Sequence, residues 1–390
     1  MTSIDLSEAT IVDGHCHPFL VEEISARPPL GLENRCSFVG SCWFPPEGPR
    51  REWDEVFLEH LTDSTAQTLT LRRWLADHLG CPASKEAVAT ARASALEKDG
   101  RAYVAGLLAA EKIVALVVDQ GTPGHITHDQ FDHVVDVPVY RAYRIEPWID
   151  AHRDGGFQEL LGGFRREAEA AAAHPRMVAF KSYIHALTGC DIGNPTEREA
   201  RSGYERWRDS GWQNQRVNAK PLFDFLVWRT MEIALRREKA VHFHLGGAGT
   251  YPCHARPFDL HPFISAHASQ PIVLIHTGWP WLSETSYLVA TFPSVYADIS
   301  QIAAWAPSQL DWVLEMLLGW VPASKILYGS DECVEPEQIW LAAKFTRSAL
   351  ARTLQRLVER DLFTTAEGQR VGEGVLAGNT CELHRIHWES

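Results

Sequence analysis

Eight short runs of β-branched and aliphatic residues recur along this chain, and longer helical patterns fill most of the gaps between them. The runs are 10–13, 113–119, 134–145, 177–181, 240–244, 272–276, 295–299 and 326–329. The helical patterns are 157–174, 218–239, 281–291, 308–320 and 336–360. They carry apolar residues at helical spacing or are rich in Ala and Glu. Alternation of this kind implies a parallel sheet. Eight such strands suit a closed barrel better than an open doubly wound sheet. The expected fold is therefore α/β, a (β/α)8 TIM barrel. A chain of 390 residues could hold two ordinary domains, but a barrel with insertions also uses this length as one. We read 1–390 as a single domain, and a hydrophobic content of 45% supports its large core.

One connection breaks the rhythm. The stretch 18–112 after the first strand is far longer than an ordinary βα loop. It holds two proline-rich pieces, at 27–29 and 44–46, and then two helical patterns. The first starts at Asp63 or Ser64, lines up Leu71, Trp74, Leu75 and Leu79, and stops at Gly80; the second runs from Ser84 to near Gly100. We expect this helical insertion to cover the C-terminal mouth of the barrel. The alternative is a small helical subdomain packed elsewhere.

Composition excludes several classes of partner. The net charge is −13 and there is no basic block, so neither nucleic acid nor an anionic membrane surface is expected. The first residues have no positive and apolar leader pattern, and the best apolar run, 103–118, is broken by Glu111 and Lys112. The eight cysteines never form Cys-x-x-Cys, which reads as reduced thiols. The expected setting is the cytoplasm and the expected partner a small-molecule substrate. A homo-oligomer stays open.

Chemistry-bearing residues gather at the ends of the strands, where barrels of this class place their active sites. His15-Cys16-His17 follows the first apolar run, and residues i and i+2 of a strand share a face, so both imidazoles would leave it together. Lys181 ends the run Met177-Val178-Ala179-Phe180. A lysine there needs a partner or a modification. It reads either as a carbamate bridging metals or as an ordinary ammonium. His242 and His244 repeat the alternating pattern; His244 lies nearer the strand end and is the better ligand, while His242 reads as a core or supporting histidine. His276 emerges from Ile272-Val273-Leu274-Ile275, either as a ligand or to polarise a substrate carbonyl. Asp331 follows the last run and can bind metal and accept a proton, or cap a helix.

His, His, Lys, His, His and Asp thus stand in order at five strand ends. This set resembles the amidohydrolase superfamily. The closer resemblance is to its amidohydrolase 2 branch, especially the FluG-like domains also found fused to glutamine synthetase. It is carried by Phe180-Lys181-Ser182, Phe243-His244-Leu245-Gly246, Ile275-His276-Thr277-Gly278-Trp279-Pro280, Val295-Tyr296-Ala297-Asp298-Ile299-Ser300 and Leu327-Tyr328-Gly329-Ser330-Asp331, and spans about Asp13 to Asn379. The resemblance implies a divalent metal, zinc first, with manganese or iron as alternatives. It makes His15, His17, His244 and Asp331 ligands. A carboxylated Lys181 would bridge two metals, with His244 and His276 on the second. An unmodified Lys181 would leave one metal and make His276, with Asp331, a catalytic side chain. Val117-Val118-Asp119-Gln120-Gly121 departs from the acidic pair common in FluG-like domains.

Arg144 and Glu146 share a face at the third strand end, and Arg-x-Glu segments occur in the FluG-like group. Arg144 reads as a fork for a substrate carboxylate or as half of an internal Arg–Glu pair. Trp279, with Trp43 and Trp281, is a candidate for the pocket wall. His125, His128 and His133 with Asp129 and Asp132 read as a solvated loop, and His384 and His387 as surface residues. The expected activity is metal-dependent hydrolysis of an amide-type C–N bond. The rivals are a metal-dependent non-oxidative decarboxylase of an aromatic carboxylate and a catalytically silent ligand-binding barrel.

Overall fold

The computed structural model describes residues 3–38, 60–246, 254–331 and 335–387. Its strands are β1 (Ile11–Cys16), β2 (Ile113–Asp119), β3 (Val139–Arg144), β4 (Met177–Ser182), β5 (Ala240–His244), β6 (Ile272–Ile275), β7 (Val295–Asp298) and β8 (Ile326–Leu327). They pair in parallel in chain order. Backbone bonds join β8 to β1: Gly14 N–H donates to Tyr328 O at 3.0 Å, and His15 O accepts from Ser330 N at 3.2 Å and Asp331 N at 2.9 Å. Gly14 is needed at this seam because a Cβ there would lie 2.8 Å from the Tyr328 carbonyl oxygen. The sheet therefore closes on itself as the (β/α)8 barrel that the alternation predicts. Its strands are covered on both faces, which is why they read as nearly continuous apolar runs.

The outer helices fall where the patterns place them, at Phe157–Ala173, Lys220–Arg236, Leu282–Thr291, Leu310–Trp320 and Pro336–Glu359. β3 is shorter than the run 134–145. Val134 and Val135 are buried outside the strand, which begins only after Pro138. The first helix of the long connection spans Ala66–Leu79, capped by Thr65 and ended by left-handed Gly80. The second does not stop near Gly100; it runs Lys85–Ala110 with one extended residue, Asp99, inside it. The Asp99 carboxylate accepts from Ala102 N at 2.9 Å and so recaps the helix. Gly100 serves close packing instead of termination: a Cβ there would come within 2.3 Å of Val21 Cγ1.

That helix packs on Pro336–Glu359 and leads into β2, the place of a barrel's first outer helix. The chain ahead of it lies against loops that follow the last strands. The Phe38 ring meets Trp305 at 5.3 Å and Trp279 at 6.3 Å, and Trp305 Nε1 donates to Cys36 O. The proline-rich piece at 44–46 and Trp43 lie outside the described residues.

The barrel interior is layered. Val12, Ala115, Val117, Ala142, Val178, Ala179 and Ala240 fill one end, and Ala377 and Ile386 close it from below. His384 is therefore not a surface residue. The C-terminal helix Asn379–His384 tucks beneath the strands, burying His384 with its Nε2 3.3 Å from that of His242. A short terminal segment of polar appearance hid this, because its burial comes from distant strands. Among the described residues no helix is long and apolar enough to cross a membrane.

Candidate metal centre

The strand ends opposite that plug gather all six candidate residues, each at least nine-tenths buried. His15 lies in β1 and His17 just beyond it. Lys181 comes from β4, His244 ends β5, His276 follows β6, and Asp331 follows β8. One nitrogen from each of His15 and His17 and one carboxylate oxygen of Asp331 lie within 4.8 Å of one another. Asp331 Oδ1 is 3.3 Å from His15 Nε2, 3.5 Å from His17 Nε2 and 3.6 Å from His276 Nε2. Asp331 is held in a left-handed conformation, φ +57, by its bond to His15 O. Burial pushes its carboxyl up, but the imidazoles of His276, His15 and His17 around it outweigh that and hold it well below the usual range.

Hydrogen bonds decide which imidazole nitrogens carry lone pairs. His17 Nδ1 lies 2.9 Å from the Asp119 backbone carbonyl, which can only accept. Its Nδ1 is therefore protonated, and its Nε2 lone pair faces Asp331. His276 Nδ1 lies 2.9 Å from Ser300 Oγ, and that hydroxyl donates to Asp298 Oδ1. The hydroxyl then accepts from His276 Nδ1–H, which leaves the Nε2 lone pair of His276 facing His244 and Asp331. His244 Nε2 is buried with no hydrogen-bond partner, and its ring stacks on His185 at 4.3 Å. Burial carries the imidazoles of His15 and His244 well below 6.5, and that of His276 to about 4. Neutral imidazoles at His15, His244 and His276, the inward-facing Nε2 of His17 and an ionised carboxylate are the donor set that a divalent cation such as zinc requires.

Lys181 is completely buried. Its amine stands 3.2 Å from His15 Nε2 and 3.9 Å from Asp119 Oδ2, and burial lowers it to about 8. Arg144 does not present a free fork. Its guanidinium spans Asp119, with Nε 3.1 Å from both carboxylate oxygens and Nη2 2.5 Å from Oδ2. Burial favours protonation of Asp119, but Arg144 and then His17, Lys181 and His15 keep its carboxyl far below the ordinary range. Glu146 turns away from Arg144 as a hydrogen-bond partner and accepts from Ser182 Oγ at 2.6 Å and Tyr183 N at 2.8 Å. The internal pairing is therefore Arg144 with Asp119, not with Glu146. Trp279 follows His276 closely, and Gly246 makes room for it: the glycine has φ +81, and a Cβ there would lie 2.3 Å from Trp279 O.

His242 joins His384 in the interior, the supporting position expected of it. His128 is buried with Nε2 2.9 Å from Val118 O, while Asp129 and Asp132 pair with Arg141. That loop is thus tied down by ion pairs instead of being simply solvated. Asp298 and Ser300 stand in a segment that carries the resemblance but receive no role from the sequence, and His185 is not named there at all. The alternation of Asp298 and Ser300 beyond an apolar strand was the available signal, and β7 alone among the late strands lacked a candidate.

A family model described as amidohydrolase matches residues 162–367, just over half of the chain. The chain belongs to the amidohydrolase family. It is 28% identical over 248 residues to Protein fluG of Emericella nidulans, a match that takes in 59% of this chain but 29% of that protein. The chain thus spans under a third of that relative's length. A solved structure from Lactobacillus casei, provisionally described as a metal-dependent hydrolase, superposes with a TM-score of 0.81 at 21% identity, covering 98% of both chains. The uronate isomerase of Thermotoga maritima superposes with a TM-score of 0.71 at 14% identity, covering 97% of this chain and 95% of its own. At these identities the likeness concerns the fold.

The Asp298–Ser300–His276 chain yields a prediction. Ser300→Ala removes the acceptor that fixes the His276 tautomer. Metal affinity or turnover should fall by about 10–100-fold, the usual cost of losing such a supporting partner. Ser300→Thr, which keeps the hydroxyl, should retain most of both. Metal titration of the two variants checks this.

Proposed function

We propose that this amidohydrolase cleaves an amide-type C–N bond of a small molecule with water, within the FluG-like branch. The observation that carries the proposal is the convergence of buried lone pairs from His15, His17 and Asp331, with His244 and His276 beside them. These residues would hold the metal, for which zinc suits the imidazole-rich donor set. A divalent cation there supplies Lewis acidity and brings the ionisation of water into the neutral range.

Asp331 is the proton carrier. It is ionised, faces three imidazoles, and lies where it can take a proton from water as that water adds to the substrate carbonyl. Returning the same proton to the amide nitrogen lets the amine leave, so one bond to oxygen forms and one to nitrogen breaks. His276 offers a lone pair and is neutral at pH 7. It therefore fits a ligand or proton acceptor better than a donor to the carbonyl.

Lys181 supports a two-cation form. As an ammonium it competes for the His15 nitrogen it faces. Addition of carbon dioxide to its neutral amine, with an N–C bond formed and one amine proton released to solvent, would remove that competition and create an anionic ligand near His244 and His276. Burial favours the neutral amine that this addition needs. Elemental analysis should find two cations per chain in the native protein and at most one in Lys181→Ala, with amide hydrolysis lost in the variant. One cation in both proteins would overturn the bridging role. Release of carbon dioxide from an aromatic carboxylate, without turnover of any amide, would overturn the hydrolase reading.

A further inference from the structure

The outer helix Leu310–Trp320 carries the chain from β7 to β8, and one of its faces is left without a partner among the described residues. Its buried face is Leu310, Val313, Leu314 and Leu317. The opposite face holds Trp312, half-buried Met316, Gly319 and Trp320. Trp312 is 53% exposed and Trp320 73%, the two most exposed large aromatics among the described residues. Water-facing helix positions ordinarily take polar or charged residues, and a single apolar side chain there needs no explanation. A ridge of them does.

The ridge has a symmetric order. Trp312, Met316 and Trp320 stand four residues apart, so they form one i±4 ridge about 12 Å long with Met316 at its middle. Such a ridge reads the same in both directions. A two-fold axis through Met316 lays Trp312 of one copy against Trp320 of the other, and the reverse. Ridges of this kind interdigitate when two helices cross at about −50°. Gly319 lets the backbones come close, since a Cβ there would have no neighbour within 4 Å. Charge favours the same contact. The charged residues of this helix are Asp311 and Glu315. They flank the ridge and are held by Arg352, Arg356 and Arg360 at the end of the neighbouring helix. Three cations thus stand against two anions on a chain whose net charge is −13. A second acidic copy meets a surface here that does not repel it.

We propose that this ridge is the interface of a two-fold homodimer, in which Leu310–Trp320 packs on its own copy across Met316. At these exposures the two indoles offer about 300 Å² per copy, taking ~250 Å² for a whole tryptophan. That is over a third of the ~800 Å² per partner in a standard interface, and tryptophan is a residue on which binding energy concentrates. Tyr287, half exposed on the helix Leu282–Thr291 packed alongside, extends the apolar area. An interface of this size gives a dissociation constant of micromolar order. No candidate metal ligand lies on this helix, so each copy keeps a complete metal centre.

Sedimentation velocity of the full chain over about 1–100 μM should show a monomer–dimer equilibrium. Trp312→Glu, Trp320→Glu and Met316→Glu should each raise the dissociation constant by at least about tenfold, Met316→Glu most, because it sets two like charges on the axis. Far-UV circular dichroism should be unchanged, since both tryptophans face water in the single chain. The symmetry has its own readout. Met316→Cys should give a disulfide-linked dimer on mild oxidation, because a residue on the axis meets its own copy. Trp312→Cys should not, its counterpart being Trp320. Native protein oxidised in the same way is the control for the chain's own cysteines. The proposal is overturned by a native chain that stays monomeric at about 100 μM. It is equally overturned by a dimer indifferent to all three glutamates, or by Trp312→Cys crosslinking as readily as Met316→Cys. A monomer that binds neutral phosphatidylcholine vesicles, and loses that binding in Trp320→Glu, would overturn it by making the face a lipid contact.

Discussion

Asp331→Asn should lower amide turnover by about three orders of magnitude or more while the barrel stays folded. Two effects combine. The amide cannot take up and return a proton as a carboxylate does, and positioned general bases contribute about 10²–10⁴-fold. It is also a poorer, neutral ligand for a dication. The backbone position should survive, because Asp331 is held by its own N–H on His15 O and not by its side chain. Asparagine also tolerates φ +57 better than most residues, so the fold has little reason to change. The measurement is the rate of amine release by metal-loaded variant and native protein, with far-UV circular dichroism as the control for folding. Full activity in the variant would remove Asp331 from the mechanism.

Arg92→Met should destabilise the protein by about 3–5 kcal/mol, because it strands buried carboxylates. Arg92 is 1% exposed. Its guanidinium joins Glu337 through Nε and lies 2.5 Å from Glu335 Oε2 through Nη2. Glu335 also receives Arg35 and Arg27, and Tyr103 donates to Glu337 at 2.6 Å. Burial raises both carboxyls; for Glu337, Arg92 outweighs it and holds the group below its ordinary value, whereas Glu335, with Glu337 next to it, stays raised. Removing the cation leaves the buried Glu337 carboxylate without a charged partner and next to Glu335, which keeps Arg35 and Arg27. Urea unfolding of Arg92→Met should therefore show a lowered midpoint, and adding Glu337→Gln should recover a large part of the loss. A wild-type midpoint in the single variant would show that the network is not needed for stability. The network also links the helix Lys85–Ala110 to the segment just after Asp331, so part of the loss should appear as weaker metal binding.

Much of this architecture could be read from local patterns because local physics sets it. Parallel strands covered on both sides must be apolar throughout, so 113–119 and 272–276 announced themselves. Helices with capping residues, such as Thr65 and Gly80, were placed to within a few residues. The six strand-end residues were visible because strand ends are where a barrel exposes side chains to its mouth. Gly100 misled because glycine both ends helices and permits close packing, and only the position of Val21 distinguishes the two.

Other features had no local signature. Arg144 could have met Glu146, which the alternation puts on its face but which in fact opens the helix after β3; it meets Asp119 from the adjacent strand. His384 looked like a surface residue until the terminal helix was seen to lie beneath β5. The tautomers of His17 and His276 depend on a carbonyl from β2 and a hydroxyl beyond β7. The barrel, the order of the strand-end residues and their chemical types follow from periodicity and residue chemistry along one segment at a time, and so were legible without coordinates. The tertiary structure alone decided which nitrogens face inward and which charges are already paired, because each depends on groups brought together from strands far apart in the chain.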